Sequence, residues 1–120
     1  MSHHTVVIGA STKPHRYSYK AINRLRQHNH PVSAISRKEG KVADVDFLIG
    51  EPKLEDVHTV TMYIAPEHQA EEVDYILSLS PKRVIFNPGS ENRAFMKQLE
   101  SEGIETLEAC TLVLLGTGQF

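Results

Sequence analysis

The sequence predicts an α/β protein: a doubly wound parallel sheet of about five strands within a three-layer α/β/α sandwich. Two observations carry that expectation. Short β-branched apolar runs without polar alternation, such as Thr5 to Ile8, are the pattern of strands covered on both faces. Between them lie helical segments of roughly 10 to 15 residues, and alternation of this kind builds βαβ units with right-handed crossovers.

Taken in order, Thr5 to Ile8 is the first strand. A helix is expected from Ser18 to about Asn29, because Ala21, Ile22 and Leu25 recur at helical spacing. Ser18 offers an N-cap and Asn29 a C-terminal stop. Pro31 releases the chain into a second strand, Val32 to Ile35. From Gly40 to Gly50 three readings stay open: an irregular loop, a short edge strand or a broken helix. Val42, Val45, Phe47, Leu48 and Ile49 fit no single period there. Val57 to Ile64 has the β-branched character of a third strand. Pro66 then suits a first helical turn and Glu67 its positive end. The buried stripe of that helix is expected from Ala70, Val73, Ile76, Leu77 and Leu79, closing at Ser80-Pro81. Arg83 to Asn87 is strand four and Pro88-Gly89-Ser90 a turn. Phe95, Met96 and Leu99 mark a helix ending at Gly103, and Ile104 to Leu107 makes strand five. Glu108 to Phe120 is too short for a further βα unit and is expected to pack as a short helix or cap.

A chain of 120 residues can bury one shared core, so residues 1–120 are expected to form a single domain with one site. No apolar stretch approaches the roughly 18 residues of a membrane span. Met1-Ser2-His3-His4 enters a strand without an export signal, so a cytoplasmic protein with no membrane partner is expected. The formal net charge of −2 gives no electrostatic reason to expect nucleic acid. Cys110 stands alone, which excludes an internal disulfide framework and a Cys-rich metal site. His3, His4, His15, His28, His30 and His58 lie at no helical or hairpin ligand spacing, so no metal is expected. Homo-oligomerisation is left open.

Ligands of open α/β sheets bind beyond the carboxyl ends of the strands, where strand order reverses. Four loops qualify, after Ile8, Ile35, Ile64 and Phe86. In the first, Gly9-Ala10-Ser11-Thr12 allows a close backbone approach and bare amides for a phosphate, with Lys13, Arg16, Ser18 and Tyr19 beside it. The same residues also read as a plain strand-to-helix turn, and the later glycines of a dinucleotide fingerprint are missing. The second loop is Ser36-Arg37-Lys38, where NAD enzymes carry an acidic residue. Cations there suit a phosphorylated ribose, which both NADP and coenzyme A possess; as a rival, the two are solvated loop charges. The third and fourth loops, Ala65-Pro66-Glu67-His68 and Asn87-Pro88-Gly89-Ser90-Glu91-Asn92, bring a turn and a polar side chain to the rim, where backbone can meet an adenine or a pantetheine arm. His68 reads as a base or as an exposed first-turn residue.

With these loops in view, the chain resembles the small stand-alone CoA-binding domain proteins, which are similar to the N-terminal CoA-binding domain of the succinyl-CoA synthetase α subunit. The resemblance spans nearly the whole length. It rests on Val6-Val7-Ile8-Gly9-Ala10-Ser11-Thr12-Lys13-Pro14 with Ser18-Tyr19, on Tyr63-Ile64-Ala65-Pro66-Glu67-His68, and on Ala109-Cys110. It implies a Rossmann-like sheet in which Gly9, Ala10, Ser11 and Lys13 hug the CoA diphosphate. Arg37 and Lys38 would lie near the adenosine end, and Ile64 to Pro66 would border the nucleotide. The pattern departs where relatives usually carry basic residues, at Ile64-Ala65 and at Ala109. The synthetase's catalytic histidine lies in a further domain, so the resemblance assigns no catalytic residue. Cys110 reads as a small core residue or, alternatively, as a thiol able to form a mixed disulfide with CoA. The expected ligand is therefore a small-molecule nucleotide, CoA or acyl-CoA. The rivals are an NADP-linked oxidoreductase or sensor and an interaction module that has lost its ligand.

Overall fold

In the computed structural model, which describes residues 2–120, the five expected parallel strands are β1 (Thr5–Ile8), β2 (Val32–Ile35), β5 (Thr59–Met62), β6 (Arg83–Phe86) and β7 (Glu105–Glu108). To these the structure adds β3 (Lys41–Val42) and β4 (Val45–Leu48), which fill the segment that composition left open. They form a tight hairpin whose turn places Ala43 at φ 56°, and β4 runs parallel to β2. The strand order is β3-β4-β2-β1-β5-β6-β7. Sequence order therefore reverses at β1: the chain first builds outward to one side, then returns to build the other.

Two apolar clusters divide the core by strand parity. Val6, Ile8, Val60, Met62, Val84 and Phe86 face one side. They pack against Tyr75, Ile76 and Leu79 of helix α2 (Val73–Leu79) and Phe95 and Leu99 of α3 (Arg93–Ser101). Val7 and Ala34 face the other side, against Ile22 and Leu25 of α1 (Tyr17–Gln27) and Leu115 of α4 (Thr111–Gly116). Helices thus cover both faces, the three-layer arrangement that non-alternating strands require.

Local details correct three expectations. The first helix starts at Tyr17 with Arg16 as N-cap, so Ser18 is its buried second residue and not its cap. Asn29 does stop it, sitting past the C-cap at φ 64°. After Pro66 the chain makes two 3-10 turns, Pro66–His68 and Ala70–Glu72, before α2 begins. Ala70 is exposed, and Gln69 takes the inward position instead. Ile22 is fully buried between α1 and β1, so Ile22→Ala should lower unfolding free energy by about 2 to 5 kcal/mol in urea titration.

Candidate functional site

The loops after β1, β2, β5 and β6 open together into one cleft of about 1140 Å³. Its base is the turn after β1. Gly9 adopts φ 93°, and a Cβ there would stand 3.0 Å from Ile64 Cγ1, so the β1 and β5 loops close on each other only over a glycine. Gly40 plays the same part on the other flank, where a Cβ would meet Thr12 Cγ2 at 2.6 Å and the Phe47 ring at 3.0 Å.

The amides expected to be bare are divided by this turn. Gly9 N–H and Ala10 N–H both donate to the Ile35 carbonyl, at 3.1 and 3.0 Å, so neither is free for an anion. Lys13 N–H donates to Ser11 Oγ at 3.1 Å. Among the described residues, no protein acceptor meets the amides of Ser11 or Thr12, nor those of Tyr17, Ser18 and Tyr19 in the first turn of α1. The open donors therefore begin two residues beyond the glycine, and the loop from Gly9 to Arg16 separates them from the helix start.

Most of the residues singled out from sequence line the cleft: Gly9, Ala10, Ser11, Thr12, Lys13, Ser18, Ser36, Arg37, Lys38, Ile64, Ala65, His68, Pro88 and Gly89. Two do not. Tyr19 turns inward to pack on the α1 side of the core, and Pro66 stands exposed at the head of its 3-10 turn, outside the wall. Cys110 is half-buried at the wall and is not a core residue. The structure adds residues outside the predicted site set. Tyr17 and Ile49, 63% and 54% exposed, are large apolar side chains left open to solvent, and both line this cleft.

Charges of both signs line the opening. Lys13, Arg16, Arg37 and Lys38 stand on the β1 and β2 loops together with Glu39, Glu51 follows β4, and Glu71 and Glu72 approach from the 3-10 segment after β5. Burial holds the Glu72 carboxyl above its ordinary range, helped by the like charges of Glu51 and Glu71 and opposed by Arg37. Arg37 Nη2 lies 3.9 Å from Glu71 Oε2, bridging the mouth with both side chains more than 80% exposed. A pair so exposed contributes about 0 to 1 kcal/mol, so an incoming phosphate can displace it at little cost. Burial pushes the Tyr63 phenol at the wall up to about 12.

Two buried amides fix the remaining loops. Gln69 Nε2 donates to the carbonyls of Ile64 and Ser90, at 2.8 and 2.7 Å, and its Oε1 accepts from Asn92 Nδ2. Asn92 Oδ1 in turn accepts the Phe95 amide and caps α3. Asn87 Nδ2 donates to Thr61 Oγ1 and the Met62 carbonyl, while its Oδ1 accepts the Thr111 amide at 2.9 Å. Asn87 thereby caps α4 from the loop that follows β6, a bond the helix's own N-cap, Cys110, does not supply.

These features define a small doubly wound α/β domain with a ligand-sized cleft at its switch point. The chain belongs to the CoA binding domain family, whose profile matches residues 3–116. A crystal structure of an uncharacterized protein is 44% identical, with a TM-score of 0.97 over 100% of this chain and 99% of that one. The same fold recurs in the cell-free ID.343 protein of Thermus thermophilus, at 18% identity and a TM-score of 0.83 over 99% of this chain and 91% of that one. A hypothetical protein from Pyrococcus horikoshii OT3 shares it at 21% identity and a TM-score of 0.82, over 91% of this chain and 78% of that one. No curated protein matches. Because Asn87 supplies both a strand-to-strand tie and the α4 cap, Asn87→Ala should cost about 1 to 3 kcal/mol of stability, read by urea denaturation.

Proposed function

We propose that this protein is a cytoplasmic binding protein for CoA or acyl-CoA, and that the cleft holds the ligand without chemistry of its own. The observation that supports this reading most is the convergence, in a CoA binding domain, of the open amides of Ser11 and Thr12 with the side chains of Lys13 and Arg16 at one cleft. A polyanion gains from both: the α1 N-terminus presents partial positive charge and Lys13 adds a full one.

Strand order suggests the ligand's direction. Arg37 and Lys38 follow β2, next to β4, so the phosphorylated ribose belongs on that side with Ile49 and Tyr17 as apolar cover for the adenine. The diphosphate lies over Ser11 to Lys13. Pantetheine then runs across Ile64 and Ala65 toward Pro88, Gly89 and Cys110, the loops of β5 and β6 and the start of α4. In this placement Glu71 competes with the ligand for Arg37.

Thermal shift and calorimetry with CoA, acetyl-CoA and NADPH test the proposal. With a Kd below about 100 µM, millimolar CoA should raise the melting temperature measurably by mass action. An unchanged melting temperature with CoA and acetyl-CoA overturns it, and a larger shift with NADPH moves the assignment to that cofactor. Lys13→Ala and Arg37→Ala should each weaken CoA binding by about 1 to 3 kcal/mol if the contacts are charge-assisted. Glu71→Gln should act in the opposite direction, tightening binding by up to about fivefold.

A further inference from the structure

The edge of the sheet opposite the cleft gathers three of the histidines. Parallel register puts Thr5, Val32, Thr59 and Arg83 in one row, so the residues just ahead of them, His3, His30, His58 and Lys82, share a corner. His3 stacks on His58 at 3.8 Å between ring centroids and on His30 at 5.7 Å. Phe120, which follows α4, closes the corner: its ring meets His30 edge-on at 4.9 Å and lies under the Arg83 guanidinium at 4.6 Å.

This corner is built for uncharged imidazoles. His30 is buried, and its Nδ1 accepts the main-chain N–H of His3 at 2.9 Å. A second proton on His30 would occupy that nitrogen, break the bond and leave the amide without its acceptor. The surroundings are already positive. Arg83 Nε donates to Thr59 Oγ1 at 2.8 Å, but its Nη2 is buried without a partner, and Lys82 adjoins it. Among the described residues no carboxylate forms an ion pair with these groups.

We propose that this corner is an acid-released clasp: protonating His3, His30 and His58 expels the Phe120 ring and loosens residues 111–120, and with them the wall that α4 contributes to the cleft. The linkage runs through packing. Phe120 packs on the same cluster as Leu115, α4 lies against α1, and Cys110 and Leu112 at its head line the cleft.

Among the described residues, the groups facing the three imidazoles are one another, His28 beside His30, and Lys82 and Arg83 ahead of and on β6, with Glu105 on β7 acting on Arg83; the His4 ring is turned to Ser33 Oγ and the Glu55 carbonyl. Burial is the first cause lowering all three histidines, and cationic neighbours add to it; His58 is pushed down to about 4. Each folded-state value lies below the ordinary 6.5, so folding releases protons here. The stabilisation is whole above about pH 6.5 and is lost as pH falls from there toward about 4.

Amide hydrogen exchange of the full chain at pH 7 and pH 5, corrected for intrinsic rates, tests the clasp. Protection over residues 111–120 should fall on the order of tenfold more than protection of β5 and β6. His30→Gln retains an acceptor for the His3 amide but cannot protonate, and should cut that differential loss severalfold. Equal loss across 111–120 and the central strands, or an unchanged differential in His30→Gln, would overturn the proposal. Should the variant fail to fold, an NMR titration of His30 in the wild-type chain decides: a midpoint below 6.5 supports the clasp and one at or above 6.5 refutes it.

Discussion

A single carbonyl oxygen, that of Ile35, accepts the amides of both Gly9 and Ala10, and the geometry of the cleft follows from that bifurcated contact. β1 lies at the centre of the sheet, buried on both faces, so its exit cannot spread sideways. Tying the first two residues after β1 to the end of β2 turns the chain upward between β2 and β5. The turn needs φ 93° at residue 9 and has no room for a side chain against Ile64. A loop held in this way at its base can project Ser11, Thr12 and Lys13 over an opening while leaving the amides of Ser11 and Thr12 without protein acceptors. The same contact removes two donors from the site, so the anion-binding potential of this turn rests on the residues after the glycine.

How much of this the sequence discloses depends on whether a feature is local. β1, β5 and β6 were legible because strands covered on both faces carry β-branched and apolar runs, β2 and the edge strand β7 because Pro31 and Gly103 mark where the preceding helices release the chain, and α1 because Ala21, Ile22 and Leu25 share one helical face. The hairpin of β3 and β4 was not: two strands of two and four residues are too short to establish a period, and pairing with β2 decides their state. The segment after Pro66 carries true helix-start signals, yet it forms 3-10 turns. Gln69 is drawn fully inward to bond the Ile64 and Ser90 carbonyls, and an unbroken helix with Ala70 on its buried stripe has no place for that inward Gln69.

The candidate site was legible where topology selects it. Once the strands are in order, the rule of carboxyl-end loops picks out Gly9 to Lys13, Ser36 to Lys38, Ile64, Ala65, Pro88 and Gly89 without any knowledge of side-chain contacts. Tyr19 and Pro66 escaped because the direction of a side chain depends on the turn that carries it: α1 begins earlier than the expected Ser18 cap allows, and the turn that does begin at Pro66 is 3-10. Gln69 gave no signal at all, and Asn87 was marked only as part of a rim loop, not as a tie between loops. Each acts by joining loops distant in sequence, and an isolated amide side chain looks the same in the sequence whether it is solvated or buried.

α4 shows how a weak element becomes a site wall. Six residues are far too few to hold a helix in isolation, where nucleation outweighs the few bonds gained. Its order comes from outside: Asn87 caps the first amide from the cleft end, Leu115 is buried against the core, and Phe120 is held among the rings at the opposite edge. Three anchors spaced along so short a segment cannot act independently, because loss of one removes the constraint that keeps the next in register. The cleft beside Cys110 and Leu112 therefore depends on contacts at the far side of the sheet, and a change of charge there can reach the ligand side without any movement of the strands between.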